Sequence, residues 1–105
     1  MTEDDLRIAE QLKERLSCVV PIVDFRIFGS RVRGSVGPDS DMDVFLEVES
    51  LDREAKERLS DIAWEVGFEN HLVISLLIFT RDEIENSALR SSPIVAIIAE
   101  EGVRI

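Results

Sequence analysis

Residues 72–79 are apolar at every position except Ser75. A run of eight apolar residues bounded by polar ones suits a strand, because a buried helix needs a longer stretch. The run therefore predicts an interior strand, which must be covered on both faces by helices or by a partner subunit. In a chain of 105 residues that cover comes from a few elements around one small core. The expectation is a single domain over residues 1–105.

The flanking patterns supply the cover. Leu6, Ala9, Leu12 and Leu16 recur at spacings of three and four, predicting an amphipathic helix over 3–17. Thr2 and Asp5 read as its capping box. Pro21 blocks any continuation. Val23, Phe25 and Ile27 alternate with Asp24 and Arg26, predicting a strand that ends at Gly29. Over 41–48, Met42, Val44, Leu46 and Val48 form one apolar row, and Asp41, Asp43, Phe45 and Glu47 form the other. Ser50 or Asp52 caps a helix to about Val66, with Gly67 at its left-handed end. Thr80 and Glu83 box a short helix, and Pro93 opens a last one that Gly102 stops. Helices alternating with strands predict an α/β (α+β) fold, a mixed β-sheet with packed helices.

Acids outnumber bases by 22 to 12, a formal charge of -10. That balance excludes general nucleic-acid binding, which needs a basic surface to displace counterions, and it opposes docking on anionic membrane. No apolar stretch reaches the about 18 residues of a membrane span, and the acidic start is unlike a signal peptide, so the expected location is cytoplasmic. Cys18 is the sole cysteine and, beside Leu16, Val19 and Val20, is expected to be a buried small hydrophobe. Trp64 is expected to pack, or else to anchor an interface, and His71 to sit in a turn. The small core and the apolar 72–79 run favour a dimer or a hetero-complex over a monomer.

Chemistry concentrates around Asp41 and Asp43. Side chains two apart on a strand share a face, and two carboxylates in one space repel until a hard cation such as Mg²⁺ relieves them. The segment upstream carries what a metal-bound phosphate would meet: Gly29 for close backbone approach, Ser30 at a helix start, and Arg31, Arg33 and Ser35 as donors. The Asp pair alone also fits two solvated acids beside an ordinary loop. Phe45 shares their face and could border a pocket or simply pack.

The blocks Phe28-Gly29-Ser30-Arg31-Val32-Arg33-Gly34 and Ser40-Asp41-Met42-Asp43-Val44 resemble the signature of the DNA polymerase beta-like nucleotidyltransferase superfamily. They are most similar to the minimal nucleotidyltransferases (MNT-type), small proteins often encoded beside a helical HEPN partner. The resemblance spans about residues 5–105 and implies a polymerase beta-like nucleotidyltransferase core. It implies that Gly29, Ser30, Arg33 and Ser40 hold ATP or another NTP, and that Asp41 and Asp43 are catalytic and ligate Mg²⁺. The family's third carboxylate falls on Ser75 here, a neutral hydroxyl that neither balances a metal's charge nor accepts a proton well. Glu69 is the substitute the sequence offers. Two functions follow. One is transfer of a nucleotidyl group, AMP from Mg-ATP, to a hydroxyl on a protein, as the antitoxin of a HEPN-type pair. The other is a weak or inactive nucleotide-binding protein that neutralises a helical partner by association.

Overall fold

The computed structural model describes residues 1–33, 41–86 and 88–105, with the side chains of Arg33, Leu89 and Arg90 outside the description. Helix α1 spans Glu3–Ser17, strand β1 Ile22–Phe28 and the short helix α2 Ser30–Arg33. Strand β2 spans Met42–Val48, helix α3 Arg53–Glu69 and strand β3 Ile74–Thr80. Helix α4 (Arg81–Asn86), a 3₁₀ turn (Ala88–Ser91), helix α5 (Pro93–Glu101) and strand β4 (Val103–Arg104) complete the order.

The capping chemistry is where the sequence placed it. Asp5 N–H donates to Thr2 Oγ1 at 3.0 Å, and Thr2 N–H donates to Asp5 Oδ2 at 3.3 Å. Asp52, rather than Ser50, caps α3 by accepting from Ala55 N–H at 2.7 Å. Thr80 and Glu83 bond reciprocally at 3.0 and 3.2 Å. Each pair satisfies backbone donors that a helix start leaves open.

The sheet is mixed, with strand order β3-β2-β1-β4. β1 runs antiparallel to β2 and β4, and β2 runs parallel to β3 through the α3 crossover. One face carries Phe25, Ile27, Met42, Val44, Leu46 and Val48, all at most 1% exposed beneath α1 and α3. The opposite face has a smaller cluster, in which Phe28 and Phe45 meet Ile98 of α5, with Phe79 and Ile84 beside them.

Four expectations are corrected. The 72–79 run begins its strand at Ile74 and forms a sheet edge, not an interior strand. Its residues are half-buried or, at Val73 and Leu77, exposed, because no described strand lies beyond β3. Cys18 is exposed, since α1 ends at Ser17 and the thiol turns outward to the Glu14 carbonyl. Trp64 does not pack into the core: it is 68% exposed and stacks on Phe68, with ring centroids 5.2 Å apart. Gly67 does not end α3, which continues to Glu69; His71 takes the left-handed conformation at φ 58°. Strand β4 carries only two residues, too short a pattern to read in sequence.

Gly67 is needed for a different reason. A Cβ there would lie 2.6 Å from the Leu72 carbonyl oxygen, where the chain folds back from α3 into β3. Gly67→Ala is therefore expected to destabilise the protein by about 1–3 kcal/mol, although alanine is the better helix former. His71→Gly, which removes left-handed strain, is expected to stabilise it by about 0.5–1 kcal/mol. Urea unfolding of the two variants measures both signs.

Candidate functional site

Strand β1 ends in a turn that only glycine makes easily. Gly29 has φ +81°, and the Val32 N–H closes the turn on the Gly29 carbonyl at 3.2 Å. Ser30 then starts α2, the short helix expected after Gly29. A Cβ on Gly29 would run into Asp43 Oδ2, so the missing side chain lets the Asp43 carboxylate sit against the turn's backbone.

Strand pairing sets Asp43 in a row. It pairs with Phe28 on β1 and with Ser75 on β3. Cross-strand partners point to the same face about 4.8 Å apart. The row Phe28, Asp43, Ser75 therefore lies on the face opposite α1 and α3. Asp43 and Ser75 are half-buried, while Asp41 is exposed one position before β2. Among the described residues, no group of three or more histidine, cysteine, aspartate or glutamate side chains could hold a metal ion.

The other named residues separate. Arg31 reaches back to α1. Its Nη1 donates to Asp5 Oδ1 at 2.7 Å, with the two side chains 11% and 6% exposed. Asp5 thus serves the α1 cap and anchors α2 together, a second role for which the sequence carries no local signal. Glu69 lies on the α1 side of α3, near Arg15 and Gln11, and cannot stand in beside Asp43. His71 is exposed in the α3–β3 turn. Phe45 packs, with its ring 5.8 Å from Phe79. Arg33 ends α2 but its side chain lies outside the described residues, as do Gly34, Ser35, Gly37, Pro38 and Ser40 altogether.

Further along the same face, Asp24 accepts from Arg26 Nε at 2.9 Å and Arg104 Nε at 3.0 Å. Its cross-strand neighbour Glu47 lines a groove of about 120 Å³ under α4 and α5. Burial, and then the Asp24 charge, push the Glu47 carboxyl above its ordinary 4.5; Arg81 opposes this, while Glu85 and Glu49 add to it. A carboxyl raised in the folded state binds its proton more readily there than in the unfolded chain. Ionised Glu47 thus costs stability above its folded pKa, and the cost disappears as pH falls through that value to the unfolded one.

The nucleotidyltransferase domain family matches residues 6–105. No curated protein matches the chain in sequence. Among solved structures, a toxin-antitoxin with AMP-PNP is similar at TM-score 0.60 and 21% identity, over 90% of this chain and 70% of that one. A mutant of the toxin-antitoxin MntA-HpeT is similar at 0.61 and 17%, over 91% and 70%. A tri-AMPylated Shewanella oneidensis HEPN toxin in complex with MNT antitoxin is similar at 0.58 and 17%, over 94% and 69%. At these identities the likeness is one of fold. No helix among the described residues is long and apolar enough to cross a membrane.

Two outcomes follow from this geometry. Gly29→Ala is expected to lower stability by about 1–3 kcal/mol, because it combines a left-handed residue with a clash at Asp43; chemical unfolding measures it. Glu47→Gln is expected to raise the melting temperature at neutral pH by about 1–3 °C. That gain should shrink as pH falls toward the ordinary 4.5 and vanish by about pH 3, where the wild-type carboxyl is protonated in both states.

Proposed function

We propose that this chain, which belongs to the nucleotidyltransferase domain family, transfers AMP from Mg-ATP to a hydroxyl of a small helical protein partner. The observation that carries the reading is the Asp43 carboxylate seated against the backbone of Gly29, where β1 gives way to a helix start. A phosphate chain can approach that backbone closely, and an acidic group stands beside it. The similar folds add support, since one was solved with AMP-PNP and another with a tri-AMPylated HEPN toxin.

The residues fit a divalent ion shared with substrate better than a closed cage. Asp41 and Asp43 would hold Mg²⁺ together with phosphate oxygens, and the ion would supply neutralisation of charge on the phosphates. The Ser30 hydroxyl and backbone N–H would hold phosphate oxygens at the turn, with Arg33 as the nearby cation and Ser40 leading into the Asp pair. The acceptor's oxygen attacks the α phosphorus, the bond to the bridging oxygen breaks, and pyrophosphate leaves. Ser75 cannot take the acceptor's proton at neutral pH, so that proton passes to Asp43 or to water.

Ser75 beside Asp43 favours a second reading, in which nucleotide binds and the partner is neutralised by association alone. Incubation with α-labelled ATP, Mg²⁺ and the small helical protein encoded next to it separates the two. Label on the partner supports transfer, and stable association without label supports the alternative. Asp43→Asn, which keeps the side chain's shape and removes its charge, is expected to cut transfer at least about a hundredfold while the far-ultraviolet spectrum is unchanged. Ser75→Asp, which places an acid beside Asp43, is expected to lower the melting temperature without metal and to enlarge the rise that Mg-ATP produces. A melt unresponsive to Mg-ATP in this variant would remove the position from the site.

A further inference from the structure

Strand β3 and the outer flank of α3 leave two unpartnered surfaces on the same side of the protein. β3 is the sheet's terminal strand, and residues 72–80 contain no charge and no proline. Natural edge strands usually carry such residues to block pairing with other chains. The Val73 carbonyl accepts from Met42 N–H on β2 at 2.9 Å, so the odd-numbered residues of β3 bond inward. Backbone groups alternate along a strand. Ile74, Leu76 and Ile78 therefore direct their N–H and C=O groups to the open side, where no described strand lies. Beside them, Trp64 and Phe68 stand 68% and 69% exposed and, with Leu72, Val73 and Ile74, line a groove of about 340 Å³.

We propose that this side is an isologous interface between two copies of the chain, with the β3 edges paired antiparallel about a two-fold axis at Leu76. A row of unsatisfied strand groups is met in full by another strand edge, and the chain carries one of matching length and character. In this register Ile74 of one copy pairs with Ile78 of the other and Leu76 with Leu76, giving about six backbone hydrogen bonds in an eight-stranded sheet. The same rotation brings the two α3 flanks together over the joined edge, so a single operation covers both the strand edge and the aromatic pair. Charge permits it. Each copy carries -10, but the edge carries none; of the α3 acids, Glu65 and Glu69 turn to Arg15 on α1, and Glu57, which shares the Trp64 flank with Asp61, is paired with Arg53 at 3.4 Å.

Trp64 is the sole tryptophan and reports on the contact directly. Sedimentation of the purified chain at about 100 μM is expected to give twice the monomer mass. Trp64 emission should be blue-shifted and at least about threefold less quenchable by acrylamide than in the dilute monomer. Dilution should reverse mass and emission together. Leu77→Lys, at a residue 37% exposed on this edge strand, and Trp64→Glu should each give a monomer with an unchanged far-ultraviolet spectrum; two substitutions guard against one that fails to fold. A monomer at the higher concentration overturns the proposal. So does a dimer whose Trp64 remains fully quenchable, which would have formed through another face. Protection of Trp64 only when a helical partner protein is added overturns it as well, and assigns the surface to that partner.

Discussion

The close approach of the Asp43 carboxylate to the backbone at Gly29 ties the site to the fold. It requires β1 to end, β2 to begin and the chain to turn with positive φ in one small volume. The consequences run outward from there. The turn launches α2, and α2 places Arg31 where it reaches Asp5 in the first turn of α1. Asp5 is held in turn by Thr2, so the helix cap, the buried ion pair and the glycine turn form one connected support. Breaking one partner of a buried pair costs far more than a surface pair contributes. The support is therefore sensitive to residues far from Asp43 in sequence.

The sheet divides labour between its faces. One face is closed by α1 and α3 over a continuous aliphatic layer, and that layer fixes register, because a slip of one residue would turn Val44 and Leu46 outward. Among the described residues, the other face is covered by α4 and α5 where Phe28 and Phe45 meet Ile98. Phe28 belongs to that cluster, and from it the row runs across the sheet through Asp43 to Ser75. Polar residues on β2 can occupy that face, at a cost where one is partly buried and charged as Glu47 is, because the main stabilising burial is supplied from the other side.

What the sequence made legible was local. Helix caps, the period of α1, the two rows of β2 and the glycine turn each depend on residues within a few positions of one another, and each is observed. The misplaced features depend on what lies next to them in space. An apolar strand reads the same at an edge as in an interior, and the 72–79 run lies at the edge. Trp64 adjoins an amphipathic stripe, but its exposure depends on where that stripe meets the sheet. Gly67 looked like a helix stop because the Leu72 carbonyl that excludes its side chain follows only after the chain reverses. The Asp43–Ser75 neighbourhood is likewise a fact of parallel register across a helical crossover, while the motif beginning at Gly29 lies on consecutive stretches of chain.

Strand β3 joins these themes. Its odd residues bond to β2 and set Ser75 beside Asp43, and its even residues face the open edge. Ser75 is consequently the outermost member of the row, with no described strand beyond it. An acid at that place would be a third negative group near Asp41 and Asp43, on a terminal strand held from one side only, with like-charge repulsion opposing the pairing that holds it. A serine removes that opposition and leaves the edge neutral along its length. In the proposed reaction, phosphate oxygens rather than a third protein carboxylate would then supply the remaining negative charge around a cation.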